Sequence, residues 1–334
     1  MAKDYSSIIV SSRVRLSRCL ADVPFPSKMT KAQGQQVIEG VRKALPDSEF
    51  DLYKMSELPK NEAYILQEKH LISPDLIEGS DSGAVCINTS ETIAVMINEE
   101  DHLREQCILP GLNIEKAYSE LNKVDNLLCK HLDIAFDANL GFLTSCITNV
   151  GTGLRVSVML FLPALTLTGK IENISAKLKR NGMAVRGAYG EATEHLGYLY
   201  QISNERTIGH TEQEYIAQIT AIVYQICDME IDARRELLQT RETEVRDIVG
   251  RAYGLLTNCY LLPCSEFMKL AGEVKMGIAL NIVRMKDSHI IDKLLDKCTP
   301  YTLCTLGVTI TSSEDEQKFR AAYVANILKA NRIK

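Results

Sequence analysis

The chain contains neither GxGxxG nor GxxxxGK[ST], which removes the usual dinucleotide fingerprint and the P-loop as ways to hold a nucleotide. Its ten cysteines are scattered, without a C-x-x-C pair or the Cys/His spacing of a zinc site, so reduced thiols packed as small apolar residues are expected. Excess positive charge is missing too. A formal charge of −5 over 334 residues argues against a general nucleic-acid binder and against a polybasic membrane anchor. No apolar run reaches the roughly 18 residues of a membrane span. The longest, LRVSVMLFLPALTLTG, opens close to Arg155 and is predicted to be a core helix. The N-terminal MAKDYSSIIVSS has no apolar segment followed by a small-residue cleavage site, so no secretory signal and a cytoplasmic location are expected. No internal repeat or low-complexity segment stands out.

What is present suits one large domain followed by a smaller one. Up to about residue 235, short β-rich runs alternate with helical ones. SGAVCIN and TIAVMIN, separated by TSE, read as an antiparallel hairpin, and GFLTSC, AVRGAYG and GYLYQISN read as further strands. Thr211 and Glu214 make a capping box ahead of Ile216, Ile219, Ile222, Val223 and Ile226 at helical spacing. From DARRELLQ onward the pattern is almost wholly helical, with Ser313 and Glu316 read as a second capping box before Phe319, Val324, Ile327 and Leu328. The expected division is 1–235 and 236–334.

Several segments set polar groups beside apolar strands. INEEDHLR follows the strand-like ETIAVMI with Glu99, Glu100, Asp101, His102 and Arg104. Three adjacent carboxylates repel one another, so the plain reading is a solvated turn at a strand end. SSRVR places Arg13 and Arg15 two apart, which on a strand sends both guanidinium groups to one face. TNVGTG is rich in small residues, which either lets backbone N–H groups approach an anion or simply makes a turn; Arg155 follows it. VRGAYGEATE supplies Arg186 and Glu191. Taken singly, each arginine reads as a surface ion pair.

Taken in order, SSRVRLSR with PFP, EKHLISP, INEEDHLR, AFDANLGFLTSC, SCITNVGTGLR, LRVSVMLFLPALTLTG, RGAYGEATE and YQISN resemble the phosphagen kinase (ATP:guanidino phosphotransferase) family. The resemblance covers nearly the whole chain and is nearest to the bacterial protein-arginine branch. It implies an α+β fold: a large antiparallel sheet flanked by helices, of the guanidino kinase and glutamine synthetase-like kind, then a smaller all-helical domain. It implies ATP and Mg²⁺, with Arg13, Arg15, Arg104, Arg155 and Arg186 on the phosphates and His70 against the adenine. It makes Glu100 the catalytic base and Glu191 the second clamp on the acceptor, and puts Cys146 where the family has its reactive cysteine. Glu99 and Asp101 are expected to act through the water shell of Mg²⁺, with no protein metal ligands.

Physical chemistry explains these residue types. Phosphoryl transfer leaves a protein mainly alignment and charge neutralisation, and the arginine fork holds phosphate oxygens bidentately. A guanidinium acceptor has a pKa above about 12 and cannot attack phosphorus until a base removes its proton.

The family's small-molecule kinases carry an additional N-terminal helical domain, whereas here SSRVR begins at residue 11. The expected site is therefore open, and the expected reaction is ATP-dependent phosphorylation of arginine side chains in proteins. A homodimer is implied through the C-terminal region, as are an activator subunit, a heat-shock repressor and Clp protease machinery in a bacterial stress response. Neither nucleic acid nor membrane is an expected partner. Two other readings stay open: a kinase for free arginine or another small guanidine, and a catalytically weak regulator that binds partners through its helical half. There are two departures from the family pattern. Ile147 replaces the usual proline after Cys146, which relaxes the local backbone. EQKFRA keeps Arg320 and Ala321 but has Glu316 and Gln317 where the bacterial enzymes have the Arg-Asp of a phosphoarginine-binding motif, so that regulatory site is expected to be weakened or absent.

Overall fold

On β1 (Ile9–Arg18), Val14 and Leu16 point into the protein core while Arg13 and Arg15 point the other way, because successive side chains on a strand face opposite sides. The structure is a computed structural model that describes residues 4–79, 82–187, 196–307 and 310–333. β1 lies inside an eight-stranded antiparallel sheet with β2 (Phe50–Lys54), β3 (Ala84–Asn88), β4 (Ile93–Ile97), β5 (Leu103–Pro110), β8 (Leu154–Phe161), β9 (Met183–Gly187) and β10 (Leu199–Asn204). The order is β2-β3-β4-β5-β1-β8-β10-β9. A two-stranded hairpin of β6 (Phe136–Asp137) and β7 (Gly141–Phe142) stands apart from it.

One face of the sheet is closed by helices. Ile93, Val95 and Ile97 of β4, Val14 and Leu16 of β1, and Leu154, Val156, Val158 and Leu160 of β8 pack there in one core. They meet apolar stripes of α1 (Lys31–Ala44), α4 (Ile114–His131), α5 (Pro163–Leu167), α6 (Ile171–Arg180) and α7 (Glu212–Asn258). Among the described residues, helices cover the opposite face at one end only. There Val85, Ile87, Ala94 and Met96 form a second, smaller core under α2 (Lys60–Glu68) and α3 (Pro74–Glu78). The rest of that face carries the arginines. The C-terminal part is helical: α8 (Cys264–Ala279) and α10 (Ser313–Asn331) pack on α7, and α9 (Ile290–Lys297) packs on α8 and α10.

The hairpin of SGAVCIN with TIAVMIN forms as read, Ala84 facing Ile97 and Ile87 facing Ala94. The Thr211 capping box is also present, with Glu214 N donating to Thr211 Oγ1 and Thr211 N to Glu214 Oε2. Three readings differ. LRVSVMLFLPALTLTG is not a core helix: its first half is β8, and only Pro163–Leu167 turns helical. GFLTSC contributes a strand of two residues, Gly141–Phe142, because the chain then turns away toward Asp101. The final helix is capped one residue earlier than read: Ser312 Oγ, not Ser313, accepts from Asp315 N at 3.1 Å. α7 runs through residue 235 and departs from helical geometry at Arg241. All ten cysteines are free thiols, and no helix among the described residues is long and apolar enough to cross a membrane.

Candidate active site

Strand register sets the cations side by side. Arg15 stands across from Arg155 on β8 and, on its other side, from Gln106 on β5, while Arg104 pairs with Ser17. Arg186 on β9 stands across from Gln201 on β10, and the Gln201 side-chain carbonyl accepts from Arg13 Nη2 at 2.9 Å. By register all five arginines belong to the sheet face that helices leave open. Acidic partners are few. Arg104 Nη1 donates to Glu99 Oε1, whereas Arg15 Nε and Arg155 Nε are buried without an acceptor among the described residues. Burial, then the charges of Arg104 and Arg155, pulls the Arg13 pKa down to about 10. Arg15 is pushed well below the usual guanidinium value by burial and by Arg13, Arg104 and Arg155. Arg155 shifts the same way, from burial, Arg186 and Arg104. Such a cluster lacks negative charge, and a polyphosphate supplies it in the geometry that guanidinium forks accept.

The acidic run is the turn between β4 and β5, closed by Asn98 N donating to His102 O at 2.9 Å. Asn98 is left-handed at φ 59°, a conformation its short polar side chain tolerates, and its Nδ2 donates to Gly34 O and Ser82 O. The three carboxylates then diverge. Glu99 accepts from Ser73 Oγ and Arg104 Nη1 on one oxygen and from Glu100 N at 3.0 Å on the other. Burial alone would raise its pKa, but Arg104, Ser73 and the Glu100 N–H hold it below the usual value. Asp101 is buried and accepts from Ser145 N at 2.6 Å, Cys19 Sγ at 3.3 Å and Asn149 Nδ2 at 3.1 Å. Asp101 is thus a buried clamp on residues 145–149, and Glu99 is paired with Arg104. Glu100 is exposed, its carboxylate without a hydrogen bond or ion pair among the described residues.

His102 is structural. Its Nδ1 accepts from Leu20 N at 3.1 Å and its Nε2 lies 3.0 Å from Pro24 O, which assigns the proton to Nε2 and ties the PFP segment to the turn. His70 follows α2 in the left-handed region at φ 60° with its ring accessible. Crowding by surrounding protein, then the Arg13 charge, lowers its pKa.

Cys146 is half-buried, its Sγ 3.0 Å from Thr148 Oγ1, at the start of a 3₁₀ turn over Ile147–Asn149. The TNVGTG segment is not an anion cradle. The N–H groups of Asn149, Val150, Gly151, Thr152 and Leu154 donate to Cys146 O, Ile147 O, Phe142 O, Thr207 O and Thr152 Oγ1. Glycine is required there for close packing: a Cβ on Gly151 would collide with Thr207 O. Glu191 lies outside the described residues.

Three contributors escape a motif-by-motif reading. Arg18, the last arginine of SSRVRLSR, falls on the core face, where Nε and Nη2 reach both oxygens of Asp125 at 3.0 and 2.8 Å. Its Nη1 donates to Thr152 O, and its guanidinium stacks 3.6 Å from the Phe142 ring, so it supports the segment before Arg155. Burial and Asp125 push the neighbouring Glu105 carboxyl well above its usual pKa. The available signal was an acid at position 125 amid the apolar stripe of Leu121, Val124 and Leu128. Gln106 Nε2 donates to His70 O and Leu71 O at 2.6 and 3.0 Å, fixing the His70 turn beside Arg15.

This arrangement has close parallels. Residues 33–233 match the family "ATP:guanido phosphotransferase, C-terminal catalytic domain", and residues 242–333 match "Protein-arginine kinase McsB C-terminal domain". The chain is 43% identical over 328 residues to a protein-arginine kinase of Caldanaerobacter subterraneus subsp. tengcongensis, covering 96% of this chain and 97% of the relative. It is 39% identical to one from Geobacillus stearothermophilus, covering 97% and 91%. Among solved structures, a lombricine kinase superposes with a TM-score of 0.62 at 24% identity over 71% of this chain and 68% of its own. A duplicated taurocyamine kinase from Schistosoma mansoni superposes with a TM-score of 0.64 at 25% identity over 79% and 40%. With its antiparallel sheet, one arginine-bearing face and these matches along nearly its full length, the chain belongs to the ATP:guanido phosphotransferase family.

Proposed function

We propose that the chain transfers the γ-phosphoryl group of ATP to a guanidino nitrogen of an arginine side chain in a protein, giving phosphoarginine and ADP. The observation that carries this reading is the open sheet face on which Arg13, Arg15 and Arg155 crowd one another with too few acidic partners. Relatives named protein-arginine kinase along almost the whole chain support a protein-borne acceptor over a free one.

The steps follow from the side chains. The arginines hold the triphosphate and neutralise the charge that spreads over the moving phosphoryl group. Glu100, exposed and uncommitted, takes a proton from the acceptor guanidinium and orients its nitrogen toward the γ-phosphorus. The new N–P bond forms as the bond to the bridging oxygen breaks, and ADP leaves. Glu191 is the proposed second clamp, and the Cys146 thiol borders the acceptor. His70 borders the adenine. Mg²⁺ enters with ATP as part of the substrate and shields the phosphate charge. No group of three or more metal-ligating side chains occurs among the described residues.

The same reading includes a homodimer formed through the helical part beyond residue 235. It also includes cytoplasmic work beside an activator subunit, a heat-shock repressor and Clp protease machinery. The match of residues 242–333 supports it, and light-scattering mass tests the dimer.

The deciding experiment is mass spectrometry without acid, which would hydrolyse the P–N bond, after incubation with MgATP and an arginine-containing protein or free arginine. Phosphoarginine on the protein is expected, and Glu100→Gln is expected to lower kcat by about 10²- to 10⁴-fold with ATP affinity retained. Phosphate on free arginine alone sinks the protein-substrate reading.

A further inference from the structure

The helical C-terminal part reaches the nucleotide side of the sheet at one carboxylate. Glu68, the last residue of α2, accepts from Thr299 Oγ1 at 2.7 Å, Tyr301 N at 3.0 Å, Thr302 N at 2.6 Å and Thr302 Oγ1 at 2.9 Å. Beside it the rings of Tyr64 and Tyr301 stack at 4.5 Å with 17° between planes.

The residues after Glu68 give the contact its direction. Beyond Lys69 come His70, left-handed and held by Gln106, then buried Leu71 and Ile72 in the small core, then Ser73. Ser73 Oγ caps α3 by accepting from Leu76 N and donates to Glu99, which holds Arg104 and accepts from Glu100 N. The short stretch from Glu68 to Ser73 therefore joins the Thr299–Thr302 segment to His70, Arg104 and Glu100 with a hydrogen bond at each joint.

We propose that Glu68 is a positioning residue: it is the latch by which the C-terminal part sets the wall of the nucleotide cleft and, through Ser73 and Glu99, the pose of Arg104 and Glu100. The proposal rests on the reading of the site given above. A consequence is that anything displacing Thr299–Thr302 weakens ATP binding at a distance, because two-state packing passes between sites by bonded contacts of this kind.

The test uses the full chain. The Kd for MgATP, kcat and KM for an arginine-bearing peptide, Tm, and hydrogen exchange of residues 69–73 are measured for wild type, Glu68→Ala, Thr302→Val and the control Lys69→Ala, which removes only a surface pair with Glu91. Expected are a roughly tenfold weaker ATP Kd in Glu68→Ala, an intermediate loss in Thr302→Val and wild-type behaviour in Lys69→Ala, with peptide KM little changed. Exchange at 69–73 should quicken in the first two. A packing role alone would lower Tm and leave Kd where it was. Wild-type ATP Kd in both latch variants overturns the proposal, and Thr302→Val carries the test if Glu68→Ala does not fold. Wild type that binds no ATP overturns the reading of the site itself, which is a separate result.

Discussion

Lysine at position 15 would keep a positive charge but lose the planar fork, and Arg15 is the most crowded of the arginines, facing Arg155 across the strands. Arg15→Lys is therefore expected to lower kcat/KM by about 10²- to 10³-fold while the fold survives, read from initial rates with a Tm control. His102 yields a pH prediction whose sign follows from its bonds. Burial lowers its folded pKa below the unfolded value of about 6.5, and the acceptor role of Nδ1 requires the neutral ring. As pH falls through that unfolded value the denatured chain takes up a proton that the folded ring resists. Stability is thus complete above about pH 7 and declines toward pH 5, and His102→Gln should flatten that decline in urea titrations. An unchanged slope in the variant would discard His102 as the cause. Residue identity made some of this legible: Arg13 and Arg15, two apart, share a face by strand geometry alone. The three carboxylates of INEEDHLR look alike in sequence. Their separation into a salt-bridged Glu99, a buried clamp Asp101 and an exposed Glu100 depends on Ser73, Arg104 and Ser145, which only the closed turn brings together.

Local geometry decides what an element tolerates. Gly153 takes φ +63°, and a Cβ there would sit 2.5 Å from Ser17 O and 2.6 Å from Arg18 Nη1. Left-handed strain and the clash together should make Gly153→Ala less stable by about 2–4 kcal/mol, measurable as a lower urea midpoint with unchanged slope. An equal loss is not expected at Gly169, where nothing lies within 4 Å, although its positive φ still disfavours a side chain. The same local view explains the misread elements. LRVSVMLFLPALTLTG shows its period of two only as far as Ser157, because Met159 and Phe161 at the following alternate positions are apolar too, so the run from Val158 onward reads as continuous. Pro163 then stops the strand and starts α5. In the acidic start of α10, Ser312 and Ser313 are equally good caps by type, and Asp315 selects the former by accepting from Ser312 Oγ at 2.8 Å through its carboxylate. Where the signal was strong, as with Thr211 and Glu214 ahead of a long apolar stripe, sequence and structure agree.

At the scale of the whole molecule, the sheet keeps one face for cohesion and leaves part of the other for charge, and the helical part packs on α7 and reaches α2 through Glu68. Arg320 shows how that part handles a buried cation. It is fully buried on α10, donating through Nε to Cys298 O at 2.7 Å, through Nη1 to Leu262 O at 3.0 Å and through Nη2 to Glu316 Oε1. Each of its three donor nitrogens already has a protein acceptor, and Glu316 brings a negative charge where a phosphorylated ligand would need a positive one. Two outcomes are expected. Glu316→Ala should destabilise the fold by about 1–3 kcal/mol, since it leaves a buried guanidinium with only carbonyl partners. Free phosphoarginine should show no saturable binding that depends on Arg320 and should leave kcat unchanged, as measured by calorimetry and initial rates on wild type and Arg320→Ala. Because product can also enter the active site, the diagnostic quantity is the difference between those two proteins. Tight binding present in wild type and lost in Arg320→Ala would mean that the Glu316–Arg320 pair opens to admit a ligand, which its three internal acceptors speak against.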